Sequence, residues 1–486
     1  MRKKLSSLLL SLLLLPVLSL AQQRQEPQLK SYAFTHVTII DASGAPAMPD
    51  MTLVVKGERI AALGKSGKIH LPSDAKVIDA RGKFLIPGLW DMHVHLGDRE
   101  IFFPLFLANG VTGVRDMGNS LEDFERLNRW RKEISQGELL APRIVAASPI
   151  LDGSKLATLG FIPVTSEAEA RKAVIDFKEQ GADFIKVLDL LPRDAYFAIA
   201  AESKRQKIPF VGHLPLLVTA REASNAGQRS IEHLFGVLEG CSTKEAELNK
   251  ELYETVTKPD VSDSEVVRRL WFIRPNKYLA SYSETKAREL FNTFHENGTW
   301  QCPTFVLFKG WLESKDNSGD QSLLKYLPRS LTKDWNPKEN LFSKNLTVED
   351  WAIVKKVQQK RLALILPMRR AGVEFLAGTD TNGYNPFLFP GFSLHDELVM
   401  LVQAGLTPME ALQSATINPA RFVGREKELG TIEQGKLADL VLLDANPLVD
   451  IRNTQRINKV MIGGRPLDQA ALHTMLAEAE ATASKR

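Results

Sequence analysis

The stretch IPGLWDMHVHLGD, Ile86–Asp98, sets two histidines one residue apart at the end of an apolar run. In a strand, residues i and i+2 face the same way, so His93 and His95 can aim two imidazoles at one ion. A lone H-x-H is equally compatible with two satisfied or surface histidines. The reading therefore turns on whether the rest of the chain supplies further ligands at equivalent positions.

Outward from this stretch the texture differs on its two sides. Upstream, Tyr32–Leu85 reads as short strands and turns: "AFTHVTIID" and "MTLVVKGERIAALG" are β-rich, and "ASGAPAMPD" and "LPSD" carry turn signals. Downstream, apolar β-type runs alternate with amphipathic helical segments such as "SEAEARKAVIDFKEQGA" and "RDAYFAIAAESKRQK". The strand candidates are Phe84–His95, Val111–Met117, Arg143–Ala147, Asp183–Leu188, Pro209–His213, Ser230–Leu234, Thr299–Phe305 and Val373–Thr379. Eight strands alternating with helices predict an α/β fold with a parallel sheet. Closed on itself, that sheet is a (β/α)8, TIM-like barrel, whose sites lie at the C-terminal strand ends.

Two connections, about Gly236–Tyr282 and Lys309–Glu349, are long and leave that same face; they read as lids or substrate walls. "TPMEALQSATINPARFVG" predicts a helix with Thr407 as N-cap, Pro408 at the first helical position and Glu410 completing a capping box. It ends near Pro419, after which "GTIEQGKLADLVLLDANPL" returns to β texture. The expected organisation is a leader over 1–21, a β domain from 22–83 and 424–486 that joins both ends of the chain, and a barrel over 84–423.

Three further residues close apolar strands in the manner of His93 and His95, and a fourth lies within one. His213 ends "PFVGH", His233 ends "SIEH", Asp380 ends "FLAGTD", and Lys186 lies inside "ADFIKVLD". One such residue is easily a turn former or cap, but strands delivering four imidazoles and a carboxylate to one rim form a set that Zn2+ and similar ions bind. A lysine within an apolar strand is costly while charged. It either snorkels to the rim or loses its proton, and a deprotonated lysine amine can take up CO2 as an anionic, bridging carbamate.

The ordered set "DMHVH", "FIKV", "VGH", "IEH" and "AGTD", followed by "ATINPA" and "GTIEQGKLADLVLLD", resembles the amidohydrolase superfamily. Within it the chain is most similar to the imidazolonepropionase-like branch that includes prolidase-type (Xaa-Pro) dipeptidases, over about Tyr32–Leu467. The resemblance implies a metal-holding barrel with a small β-sandwich domain formed by both termini. It implies that His93, His95 and Asp380 hold one divalent ion, that His213 and His233 hold a second, and that carboxylated Lys186 bridges them. Imidazolonepropionase itself lacks the bridging lysine and holds one metal, so Lys186 favours two ions here, zinc being the expected identity.

A binuclear site of this kind implies hydrolysis of an amide or peptide-like C–N bond, in a dipeptide or N-acyl amino acid, by a metal-bridging hydroxide. Asp380 would act as general base and then general acid. A lactone or phosphate ester offers the same hydroxide another target, and a binding protein on a dead barrel is disfavoured because no ligand is missing. Arg115, closing strand two, and Arg193, after strand four, are candidates for a substrate carboxylate, with a structural ion pair as the alternative for each. Tyr196 and Tyr384 read as lining or packing residues, His395 as structural within a helix, and His36, His70, His295 and His473 carry no assignment.

The start, MRKKLSSLLLSLLLLPVLSLA, has a basic head, an apolar run and small residues at Ser19 and Ala21, and reads as a secretory signal peptide cut after Ala21. The expected compartment is therefore periplasmic or extracellular. Cleavage would remove Arg2, Lys3 and Lys4, so 62 basic residues become 59 against 58 acidic ones. A near-neutral chain gives no reason to expect nucleic acid or anionic membrane as partner, and a small-molecule substrate is expected instead. Self-association is left open. Apolar content of 44% and charged content of 25% suit a folded protein and argue against long disorder. Cys241 and Cys302 either pair, closing a loop worth roughly 4 kcal/mol on the chain-entropy view, or remain separate buried thiols.

Overall fold

The computed structural model describes residues 31–118, 120–340 and 342–486. The leader at 1–21 lies outside the described residues, as do residues 22–30 of the first β segment. In chain order, the strands β1 (Ser31–Ile39), β2 (Met48–Lys56), β3 (Arg59–Lys65), β4 (Lys76–Asp79) and β5 (Phe84–Pro87) come first. The barrel follows with β6 (Leu89–Val94), β7 (Val111–Asp116), β8 (Arg143–Ala146), β9 (Leu151–Asp152), β10 (Ile162–Pro163), β11 (Ile185–Val187), β12 (Phe210–Gly212), β13 (Ser230–Glu232) and β14 (Trp300–Cys302). Finally β15 (Leu440–Leu443), β16 (Ile457–Ile462) and β17 (Arg465–Asp468) return to the first sheet.

Both ends of the chain do build one β domain. Its strands run β17-β16-β15-β5-β1-β2-β3, with β4 on β1. The N- and C-terminal parts join where β15 pairs antiparallel with β5, Val441 opposite Ile86. Phe34, Leu53, Val55, Leu85, Leu440 and Leu442 from both parts form one apolar cluster, so neither part could bury its face alone.

The barrel strands pair in parallel as β6-β7-β8 and as β10-β9-β11-β12-β13-β14. Single parallel bridges, Ala147 to Phe184, Gln301 to Phe375 and Val94 to Thr381, span the gaps between these ladders. Every residue of β6 and β7 is buried, as expected of strands packed between a barrel interior and an outer layer of helices.

Several boundaries differ from the sequence expectation. Phe84–His95 is not one strand: β5 belongs to the β domain and β6 to the barrel, which moves the domain boundary to Gly88. Gly88 N–H donates to Asp439 O (2.8 Å) while Leu89 N–H donates to Gly110 O (3.0 Å), so the hydrogen-bonding partner switches between adjacent residues. A Cβ at Gly88 would lie 2.1 Å from Thr112 Oγ1, which explains a glycine at the crossing.

The predicted strand Thr299–Phe305 stops at Cys302, because Thr304 turns left-handed (φ 47°) and a helix, Phe305–Asp316, begins directly after it. Val373–Thr379 forms no ladder. It is tied by Leu376 N–H to Gln301 O (2.9 Å) and by Met92 N–H to Ala377 O (2.8 Å). The long connections are largely helical. The first holds Glu245–Val256, Asp263–Val267, a π-helical turn Arg268–Ile273 and Asn276–Leu279; the second holds Phe305–Asp316, Gln321–Tyr326 and Arg329–Thr332. The helix capped by Thr407 forms with its capping box but breaks after Ser414, and Ile417–Phe422 resumes it. Among the described residues no helix is long and apolar enough to cross a membrane.

Candidate active site

His93, His95, Lys186, His213, His233 and Asp380 all line one cavity of about 920 Å³. They arrive from five places: the end of β6, the middle of β11, the residue after β12, the residue after β13, and the turn following the bridged segment. His93 Nε2 lies 3.4 Å and His95 Nε2 3.2 Å from Asp380 Oδ1. The His93 and His233 rings are 4.6 Å apart and the His213 and His233 rings 5.0 Å apart. His233 (φ 59°) and Asp380 (φ 63°) are both left-handed, an uncommon conformation for such residues that re-aims each side chain as its strand ends.

Each imidazole is oriented through Nδ1. His93 Nδ1 meets Glu232 Oε2 at 2.8 Å, His95 Nδ1 the Gly118 carbonyl at 2.5 Å, His213 Nδ1 Asp189 Oδ2 at 2.7 Å, and His233 Nδ1 Thr304 Oγ1 at 2.6 Å. With Nδ1 spent, Nε2 is the nitrogen left to face the cavity, the arrangement by which outer carboxylates and carbonyls present histidines to a metal. His93 is fully buried and, among the described residues, its Nε2 has no hydrogen-bond partner. Such an orphaned acceptor is costly unless something fills the position. His93, His233 and Asp380 also place ligand atoms within 4.8 Å of one another. The donor set fits a divalent cation.

Burial keeps most of these imidazoles neutral. It pushes His93 and His233 well below the usual histidine range, reinforced by the Lys186 charge on His93 and by the closeness of the His93 imidazole on His233, since the two cannot both be charged. His213 is lowered by burial, against the opposing pull of Asp189. His95 alone is raised: burial disfavours its charge, but the hydrogen bond and charge of Asp380 outweigh that. Lys186 is 1% exposed and, among the described residues, no carboxylate stands within salt-bridge distance of its Nζ. Burial takes it down to about 8 despite the field of Glu232 and Asp380. Lys186 therefore gives up its proton more readily than an exposed lysine does.

Several residues that support the site escaped the sequence reading. Glu232 accepts from His93 Nδ1, from Arg115 Nη2 (2.8 Å) and from the Ser230 hydroxyl. Asp91 accepts from His93 N–H (3.2 Å), Thr379 N–H (3.0 Å) and Thr379 Oγ1 (2.7 Å), which ties β6 to the Asp380 turn. Asp189 and Thr304 hold His213 and His233 as above. The usable signal was a carboxylate inside an apolar strand, as in "SIEH" and "KVLD".

The two arginines considered for a substrate carboxylate do not line the cavity. Arg115 is fully buried, with Nε on the Met92 carbonyl (2.5 Å) and Nη2 on Glu232, so no substrate reaches it. Arg193 is half-exposed on a helix start and spends its guanidinium on Glu222 (2.5 Å) and the Leu217 carbonyl (2.9 Å). Tyr196 is buried with its hydroxyl on Gln228, whereas Tyr384 is exposed and lines the cavity. His395 packs between Thr454 and the Asn109 carbonyl. Cys241 and Cys302 are free thiols held in different apolar clusters.

The remainder of the cavity is mostly apolar. Phe235, Trp271, Phe272, Phe308, Trp311 and Phe342 line it, and Trp271, Phe272, Trp311 and Phe342 come from the two long connections.

Comparison with known proteins agrees with this architecture. Residues 319–467, which include Asp380, match the Amidohydrolase family. An imidazolonepropionase from Symbiobacterium thermophilum is 25% identical over 82% of this chain and 85% of its own length. The putative prolidase from Bifidobacterium longum superposes with a TM-score of 0.64 at 25% identity, covering 93% of this chain and 100% of that one. An imidazolonepropionase from Shouchella clausii is 37% identical, but the alignment spans only 20% of its length. The chain thus carries an Amidohydrolase-family match over residues 319–467 and is similar over most of its length to an imidazolonepropionase and a prolidase-like structure.

Proposed function

We propose that this chain is an exported, metal-dependent hydrolase that cleaves an amide or peptide-like C–N bond, in a dipeptide or N-acyl amino acid. One observation carries the reading: four imidazoles anchored through Nδ1, a buried unpaired lysine and a carboxylate converge on one cavity. In this reading His93, His95 and Asp380 hold one divalent ion, His213 and His233 a second, and Lys186 as its carbamate joins them. Zinc suits the nitrogen-rich donor set. When bound, such a pair supplies a water of lowered pKa and polarises the scissile carbonyl.

The protein's own groups do the rest. Glu232, Asp189 and Thr304 fix imidazole orientation. Asp380 Oδ1 faces His93 and His95, so Oδ2, steadied by Asn385 Nδ2 at 3.1 Å, is the atom left to accept the water's proton. It then returns that proton to the departing nitrogen, which would otherwise leave as an unstable anion. Phe235, 4.9 Å from the His213 ring and 5.0 Å from the His233 ring, gives the substrate an apolar surface beside these groups. Export rests on the leader at 1–21.

The test is elemental analysis of purified protein together with a panel of dipeptides, N-acyl amino acids, lactones and phosphate esters. About two divalent ions per chain with turnover of C–N substrates is expected. Protein that binds no divalent ion, or that turns over only the esters, would overturn the reading.

A further inference from the structure

The π-helical turn Arg268–Ile273 sits in the connection after β13, and one of its residues reaches both the cavity and the support of a candidate ligand. Trp271 Nε1–H donates to Asp189 Oδ2 at 3.1 Å, the same oxygen that meets His213 Nδ1 at 2.7 Å. Arg274, one residue beyond the turn, donates to Asp189 Oδ1 at 3.3 Å and pairs through Nε with Glu239 at 2.8 Å. Asp189 is fully buried, and three donors hold it: one from a candidate ligand and two from the inserted segment. The Trp271 ring stands near-perpendicular to the His213 ring, 6.4 Å away, and lines the cavity beside Phe235, Phe272 and Phe342. π-Helical turns recur at functional sites because the extra residue re-aims side chains that a regular helix would place elsewhere.

We propose that Trp271 is a positioning and specificity residue with two separable functions. Its indole N–H fixes Asp189 and, through it, the Nε2 direction of His213; its ring forms the wall against which an apolar, aryl-sized acyl group is held. The site's His213 arm is therefore completed by a segment outside the barrel, and substrate selection and metal retention share one side chain. This inference rests on the metal-dependent hydrolase reading. It goes beyond that reading by naming a bulky apolar acyl group as the preferred part of the substrate.

Two substitutions separate the two functions. Trp271→Phe keeps a ring and removes the donor; Trp271→Leu removes both. Wild type and variants are loaded with Zn2+, dialysed and challenged with a chelator while metal loss is followed. Outer-sphere partners of this kind alter metal affinity by about 10–100-fold. Trp271 acts one hydrogen bond further out, through Asp189, so in both variants one of two ions should leave several-fold, up to about 10-fold, faster than in wild type, the other at the wild-type rate.

The second readout is the preference for N-(2-naphthoyl)glycine over N-acetylglycine, taken from kcat/KM or, without turnover, from Kd by naphthyl fluorescence. It should survive within about twofold in Trp271→Phe and fall about 10-fold in Trp271→Leu, as loss of a buried aromatic contact requires. Wild-type metal release in Trp271→Phe overturns the positioning role. An unchanged preference in Trp271→Leu overturns the wall. Wild-type protein that retains no divalent ion condemns the hydrolase reading itself, a result distinct from either.

Discussion

The site histidines and His395 share a residue type and deep burial, yet they are held in opposite ways. His395 lies in the helix Phe392–Gln403 with Nδ1 on Thr454 Oγ1 at 2.9 Å and Nε2 on the Asn109 carbonyl at 3.1 Å. Both nitrogens are spent, one towards the helix that precedes β7 and one towards the segment leading into β16. His93 spends Nδ1 on Glu232 and leaves Nε2 buried without a hydrogen-bond partner among the described residues. Burial alone therefore does not mark a ligand. What sets the site histidines apart is that Nδ1 is anchored while Nε2 is turned to the cavity, and at His93 that nitrogen is left unsatisfied.

The sharpest way to break this contrast is at the proton carrier. Asp380→Asn keeps the size of the side chain and its contact with Asn385, but it cannot accept a proton at Oδ2. Turnover should fall by about a thousandfold or more, at the upper end of what general acid–base catalysis contributes, with metal largely retained. A variant of near-normal rate would remove Asp380 from the chemistry. Lys186→Ala comes next. It should reduce bound metal from about two equivalents to one or none, and two tightly held ions in that variant would eliminate the bridging role.

Glu232→Gln acts one step back. It weakens the acceptor for His93 Nδ1 and leaves Arg115 without its anionic partner, since the carboxylate receives Arg115 Nη2 at 2.8 Å. Metal affinity should drop by about 10–100-fold, read by competition with a chromogenic chelator. The buried Arg115 should also lower the melting temperature, because an uncompensated interior charge is strongly destabilising. Unchanged affinity with a lowered melting temperature would make Glu232 purely structural.

How much of this was legible in the sequence depends on the range of the information. The six cavity residues could be read because each closes or interrupts an apolar run, a local pattern. The β domain was legible as texture on both sides of the barrel, but the sequence did not reveal that Phe84–Pro87 belongs to it, because the break at Gly88 depends on Asp439 and Thr112. For Arg115 and Arg193 the sequence left substrate contact and structural ion pair as alternatives for a similar reason: a guanidinium there looks alike whether it faces a cavity or a carboxylate, which for Arg115 comes from 117 residues away. The long connections carried enough charge, Asn and Pro to look like loops. Their helices are stabilised by packing of Leu252, Val256, Val266 and Leu270 against Leu156, Leu190 and Leu216, contacts invisible to local propensity.

The smallest effect expected on activity, and the most direct check on the contrast, belongs to His395. Burial lowers its pKa from 6.5 to about 4, so folded protein holds it neutral where the unfolded chain begins to take up a proton. The unfolded state therefore binds more protons between these values, and stability present above pH 6.5 is lost as pH falls towards 4. A gap of that size is worth up to about 3 kcal/mol. His395→Gln retains a donor for the Asn109 carbonyl and cannot be protonated. Its urea midpoint should fall less steeply than that of the wild type over this window, while metal content and turnover at neutral pH stay unchanged. Parallel pH profiles would show that His395 does not stay neutral on folding. A loss of metal in the variant would mean that this imidazole, fully paired as it is, belongs with the site after all.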